Sequence, residues 1–232
     1  MKPYIFLTEN YLRNAQDQNG DSVDITKISN VQPDYEQTIF LADRYGNIVN
    51  RTFDTLILTN TNVVNMTIAA ANGLGVYTTV FTVSGNDKST LIIKLDNPVT
   101  TSSLKFTIPD DTFNPQYANA NFGVYNFICN LWALTDSSYK IEANEGGYRV
   151  VSGAYIHWAD YKKWVGKVKT DNLPQAQFDL LTAQADKGEM TVIPYEDMVA
   201  DEIYECAVKR EYQYELNRKT KLFSLELELN EL

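Results

Sequence analysis

The chain has 232 residues, 44% of them apolar, enough for a sizeable core and too many for a disordered chain. With 30 acidic and 20 basic residues the formal charge is −10, a field that disfavours nucleic acid and anionic lipid as partners. Fifteen tyrosines against four methionines favour pleated structure over a helical bundle. No run of about 18 apolar residues marks a membrane span.

The opening "MKPYIFLTENYLRNA" holds an apolar run too short for a secretion signal, so the expected place of synthesis is a cytoplasm. "DQNGDSVD" (17–24) has the oxygen-rich look of a calcium loop through Asp17, Asn19, Asp21 and Asp24. Its glycine stands at the fourth position and its twelfth position is Ile28, so a solvated loop is the expectation. Residues 31–47, "VQPDYEQTIFLADRYGN", read as a long connection. Within it Tyr35, Arg44 and Tyr45 are candidates for stacking on, or hydrogen bonding to, a glycan or a partner.

From residue 52 onward the pattern has period two. "TLILT" (55–59) and "VNMTI" (64–68) flank the small polar cluster "TNTN" (59–62), which suits a turn between two strands. Further strands are predicted at 78–84, 90–96 and 103–108, with turns at "NGLG" (72–75), "SGND" (84–87) and "DNP" (96–98). Strands this short and this regularly spaced indicate an antiparallel sandwich or barrel. "NFGVYNFICNLWAL" (121–134) reads as one more strand, and the polar stretch 135–147 as a linker.

The second half changes texture. Tyr148, Val150, Ala154, Ile156 and Trp158 alternate along one face, and Trp164 and Val168 continue the pattern. A helix is predicted near 173–187, with Asn172 as cap, Pro174 in the first turn, Phe178, Leu181 and Ala185 on one face, and Gly188 as stop. The last strand places Phe223, Leu225, Leu227 and Leu229 on one side, with Ser224, Glu226, Glu228 and Asn230 on the other. The expected division is therefore a β-sandwich at 1–134, a linker at 135–147 and a smaller β-domain with one helix at 148–232.

Chemistry is sparse. His157, the single histidine, stands on the face opposite the apolar positions and reads as a surface residue. Cys129 and Cys206 have no CxxC spacing and read as buried thiols or a single bridge. Glu226 and Glu228 share one strand face, as solubilising carboxylates do, so no enzyme site, metal site or cofactor motif emerges.

Two resemblances follow from these segments. "YIFLTENYLRNA", the 31–47 loop, "FDTLILTNTNVVNMTI", "TLIIKLDNPVTTSSLKFTI" and "FGVYNFICNLWAL" resemble the discoidin-type, galactose-binding-like jelly roll. "YRVVSGAYIHWADYKKWVGKVKT", "LPQAQFDLLTAQADKG", "TVIPYED", "YECAVKREYQYEL" and the closing "FSLELELNEL" resemble the distal-tail and tail-hub proteins of bacteriophage tail tips. Together they imply a jelly roll followed by a tail-tube-like β-barrel with one helix. The function they imply is a structural virion protein of the tail tip or baseplate, forming a homo-oligomeric ring beside other tail proteins. Trp158, Trp164, Tyr204, Tyr212 and Tyr214 are the candidate ring-interface residues. The alternative is a carbohydrate-binding module that contacts host-surface glycan through the jelly roll; a hydrolase using His157 ranks third.

Overall fold

The computed structural model describes residues 4–24, 35–109, 121–131, 138–149, 155–193, 203–209 and 212–232, and at 131, 138–149 and 155–164 the backbone alone. In chain order the strands are β1 (Tyr4–Leu7), β2 (Tyr35–Phe40), β3 (Arg51–Thr59), β4 (Met66–Ala71), β5 (Tyr77–Val83), β6 (Leu91–Thr101), β7 (Ser103–Ile108) and β8 (Asn121–Tyr125). They continue as β9 (Phe127–Leu131), β10 (Ser138–Arg149), β11 (Tyr155–Leu173), β12 (Glu189–Ile193), β13 (Tyr204–Val208), β14 (Gln213–Asn217) and β15 (Leu222–Glu231). Helix α1 (Gln175–Lys187) lies between β11 and β12. The fold is mainly β.

The chain forms two units. One takes Thr8–Phe127; the other takes Met1–Leu7 together with Ile128–Glu196 and Ile203–Leu232. The first is thus an insertion into the second, and its two ends are tied together. The Thr8 amide donates to the Asn126 carbonyl at 3.0 Å, and the Asn126 amide donates to Thr8 Oγ1 at 2.9 Å.

The Thr8–Phe127 unit is a jelly-roll β-sandwich of two antiparallel sheets, β2-β7-β4-β5 and β6-β3-β8. Its core joins Ile39, Phe53, Leu56, Leu58, Met66, Ile68, Leu104, Phe106, Phe122 and Val124. β7 keeps the predicted alternation, with Leu104, Phe106 and Ile108 buried between Lys105 and Thr107. β3 does not alternate, because both of its faces are buried from Thr55 to Thr59. On the face of Ile57, the ring of Tyr125 lies across Gly123, where even a methyl group would overlap it.

"TNTN" is not a hairpin turn. β3 and β4 lie in different sheets, so these residues carry the chain from one to the other. Thr61 and Asn62 are buried at this crossing, where the Thr61 amide donates to the Ser89 carbonyl at 2.9 Å. "DNP" is likewise no turn. Phe53 pairs with Val99 and Thr55 with Lys94, so 95–98 bulge out of β6.

In the other unit β1, predicted to open the jelly roll, is an interior strand of a sheet ordered β10-β11-β15-β13-β12-β1-β9, with β14 added beside β15. All four of its residues are buried, which is why "YIFL" is uniformly apolar. Among the described residues this sheet is open, and the expected barrel is not seen to close. The 121–134 run breaks at Asn126 into β8 and β9, which join different sheets. Ten residues of the expected linker, 138–147, belong to β10, paired with β11 from Ser138↔Lys167 to Arg149↔Tyr155. A register shift at Asn144/Glu145 interrupts the alternation expected along β11.

Helix α1 buries Phe178, Leu181, Gln184 and Ala185 against this sheet's core. Pro174 takes the N-cap position, while Asn172 sits earlier, in a left-handed conformation at φ 58°, and does not cap. Gly188, at φ 92°, ends the helix by donating its amide to the Ala185 carbonyl. β15 matches its prediction, with Phe223, Leu225, Leu227 and Leu229 buried. Cys129 and Cys206 are free and buried.

Candidate functional site

Strand register defines one end of the sandwich as a meeting place of loops. Phe40 pairs with Ser103, Ala71 with Tyr77 and Arg51 with Thr101, so β2, β4 and β6 finish where β3, β5 and β7 begin. The connections 41–50 and 72–76 and the corner 101–103 therefore share this end.

The two connections are built alike. In each, an Asx residue opens a five-residue turn and a glycine stands fourth. The Asp43 amide donates to the Asn47 carbonyl at 2.9 Å, and the Asn72 amide to the Val76 carbonyl at 2.9 Å. Gly46 and Gly75 hold φ of 83° and 76° and donate back to the opening carbonyl. The opening side chain accepts twice. Asp43 Oδ1 takes the amides of Tyr45 and Asn47 at 2.8 and 3.0 Å, and Asn72 Oδ1 those of Leu74 and Val76 at 2.9 and 3.0 Å.

A third turn of this design is Asp17–Asp21. Asp17 Oδ1 accepts the Asn19 and Asp21 amides at 2.8 and 3.0 Å, and Gly20 holds φ 85°. The other Asp17 oxygen, Oδ2, accepts from the Asn19 side chain at 3.3 Å. Asp17 and Asp43 are both held below the usual carboxylate range. Backbone amides are the main cause for Asp17, and the Asn47 side chain followed by backbone amides for Asp43.

The turns hold their tips rigidly in solvent. Tyr45 is 74% exposed and Leu74 89%, with Ile48 and Val76 also exposed. Next to the 72–76 turn lies a cleft of about 450 Å³ whose lining includes Asn50, Asn72, Tyr77, Thr100, Ser102 and Ser103. Its floor is fixed. Ser103 Oγ donates to the Ile39 carbonyl at 3.0 Å, so the Tyr77 hydroxyl, 2.5 Å away, donates to Ser103. Thr101 Oγ1 accepts the Ser103 amide and donates to the Ala71 carbonyl at 2.8 Å.

Arg44 and Tyr45 are brought together: Arg44 Nη2 donates to the Tyr45 hydroxyl at 2.7 Å, and its guanidinium carbon lies 4.8 Å from the ring centroid. Tyr35 is not part of this group. It begins β2 while the loop end lies beyond Phe40, roughly 17 Å away at about 3.4 Å per residue. It is half-buried against the sandwich core, and that burial raises its hydroxyl pKa.

Three of the candidate interface tyrosines of the other unit make contacts within it. Tyr204 and Tyr212 lie against the core, and Tyr212 donates to Asp186 of α1 at 3.0 Å. Tyr214 meets Phe178, which stacks on Phe223 at 4.1 Å. For Trp158, Trp164 and His157 the backbone places them on β11, and their side chains lie outside the description. A larger groove of about 640 Å³ runs along β11, β15 and β14, and two of its charged lining residues pair with each other, Lys169 with Glu226 at 3.3 Å. The Asn50, Asn72 and Tyr77 cluster was missed by sequence reasoning, although the recurring Asx-x-x-Gly at 17–20, 43–46 and 72–75 was there to be seen.

No family model and no curated protein matches this chain. Among solved structures it is similar to a family 32 carbohydrate-binding module from Streptococcus pneumoniae, at 15% identity and a TM-score of 0.38 over 50% of this chain and 99% of that one. It is similar to a family 32 module from C. perfringens in complex with galactose, at 14% identity and TM-score 0.35 over 52% and 99%. It is also similar to discoidin II from Dictyostelium discoideum, at 10% identity and TM-score 0.32 over 87% and 73%.

Proposed function

We propose that the loop end of the sandwich binds a saccharide, so that the chain acts as a carbohydrate-binding module and not as a catalyst. The observation that carries this is Tyr45, an aromatic ring 74% exposed at the tip of a turn whose backbone and carboxylate bonds hold it still. An exposed ring on a turn whose backbone is fixed offers the apolar face of a pyranose a stacking surface at a reduced ordering cost. The polar cleft, built of amides and hydroxyls at the same end of the sandwich, suits sugar hydroxyls. Calorimetry of the full chain against a panel of oligosaccharides tests it. We expect a saccharide that binds, and a loss of at least about tenfold in Tyr45→Ala, the size of one stacking contact. Binding untouched by that substitution, or none across the panel, sinks the reading.

A second reading, ring assembly in a tail tip, is favoured by β14. All five of its residues are exposed, Tyr214 at 58% and Leu216 at 49%. It is an added strand whose described partner is β15 on one side. The hairpin beyond it carries Arg218, Lys219 and Lys221, a basic tip on a chain of charge −10, which fits a second copy. Light scattering over a range of concentrations should then give a multimer that Tyr214→Glu dissolves. A monomer of 26.4 kDa throughout counts against it.

A further inference from the structure

Resting on the saccharide reading of the loop end, we propose that the ligand carries a carboxylate, as a uronic or sialic-type residue does, and that Arg44 selects it. The argument is an inventory of which polar atoms at this end are already used. Both oxygens of Asp43, the carboxylate nearest in sequence to Arg44, are turned back into their own turn, where they accept from Tyr45, Asn47 and the Asn47 side chain. Asn72 spends its Oδ1 on Leu74 and Val76, which leaves its amide nitrogen as the outward group. The Tyr45 oxygen accepts from Arg44, so its own proton is free for a ligand. Arg44 gives one of its five N–H groups to Tyr45 and keeps the others in solvent.

A second guanidinium at this end, Arg51, is committed elsewhere. It bonds Glu9 at 3.5 Å and lies 5.0 Å from the centroid of Tyr11. Among the described residues of these loops, Arg44 is therefore the exposed cation, presented on a turn and braced by a ring. The donors left at this end are the Arg44 fork, the Tyr45 hydroxyl and the Asn72 amide, while Asn47, whose side-chain nitrogen is spent on Asp43, keeps its oxygen as an acceptor. A neutral sugar meets such a set with hydroxyls that also seek acceptors. A carboxylate meets it with acceptors alone, in the planar geometry that pairs two oxygens with two guanidinium N–H groups. The chain's charge of −10 repels polyanions at long range, but one carboxylate in contact is governed by distances well inside the Debye length of about 8 Å.

The test uses the full chain and two oligosaccharides that differ only in a terminal uronic acid against its neutral sugar, titrated into wild type, Arg44→Gln and Arg44→Lys. Wild type should prefer the acidic member by about tenfold, a charge-assisted contact of roughly 1.4 kcal/mol. Arg44→Gln should remove the preference, weakening the acidic member about tenfold more than the neutral one, while Arg44→Lys, a point charge without the fork, should keep only part of it. Equal binding of the two sugars by wild type, or a preference that survives Arg44→Gln, overturns this proposal and leaves saccharide binding standing. Failure of both sugars and of the wider panel overturns the two together.

Discussion

Asp43 and Asn72 occupy the same position in two turns of the same design, one charged and one neutral. Each uses one oxygen to accept two backbone amides, so the turn needs the oxygen and not the charge. The charge adds a pH dependence. The carboxyl of Asp43 is held below its ordinary value, first by the Asn47 side chain and then by backbone amides. A depressed native pKa means a contribution fully present above the unfolded value, about 3.9, and lost as pH falls through the lower native one. Acidification below about pH 4 should therefore loosen the 43–47 turn and leave 72–76 intact. Asp43→Asn should keep the turn and abolish its acid sensitivity, whereas Asp43→Ala should lose the turn at every pH. Amide NMR shifts of Tyr45 and Asn47 against those of Leu74 and Val76 read this directly. Parallel acid titration of the two turns would refute the assignment.

Among the elements, those that alternate on one buried face were readable and those that break that rule were not. β7 and β15 each bury one face and expose the other, and both stand where the pattern put them. β3 and β1 bury both faces, so their apolar runs said strand and gave no sheet. The run 121–134 hid a change of sheet at Asn126, because β8 and β9 are apolar for two different cores. "TNTN" misled for a related reason. Small polar residues suit a turn in solvent, but Thr61 and Asn62 are buried at a crossing between sheets. At the candidate site the pair Arg44 and Tyr45 could be read from one short segment. The cleft could not, since Asn50, Asn72, Tyr77 and Ser103 are joined only by the register of strands far apart in sequence. Tyr35 is near Arg44 and Tyr45 in the chain, and the length of β2 separates it from them in space.

At the scale of the whole molecule, the insertion of Thr8–Phe127 between β1 and the rest of its sheet distributes the spectroscopic reporters unequally. The three tryptophans and both cysteines belong to the unit formed by Met1–Leu7, Ile128–Glu196 and Ile203–Leu232, while the sandwich holds neither residue type. The two buried clusters share no residue, so each unit carries its own core. Burial pushes the Cys129 thiol up to about 12 and Cys206 further still, with Glu231 and Glu205 adding to the latter. Neither forms a reactive thiolate near neutral pH while the unit is folded. Tryptophan emission and thiol labelling should then follow one common denaturant transition, and far-ultraviolet ellipticity should contain a further one from the sandwich. A saccharide bound at the loop end stabilises only the unit that holds it, by RT ln(1 + [L]/Kd), so saturating ligand should move the ellipticity component and leave the tryptophan and thiol midpoint in place. If all probes instead coincide and move together with ligand, the units unfold as one cooperative body and the insertion is a feature of topology alone.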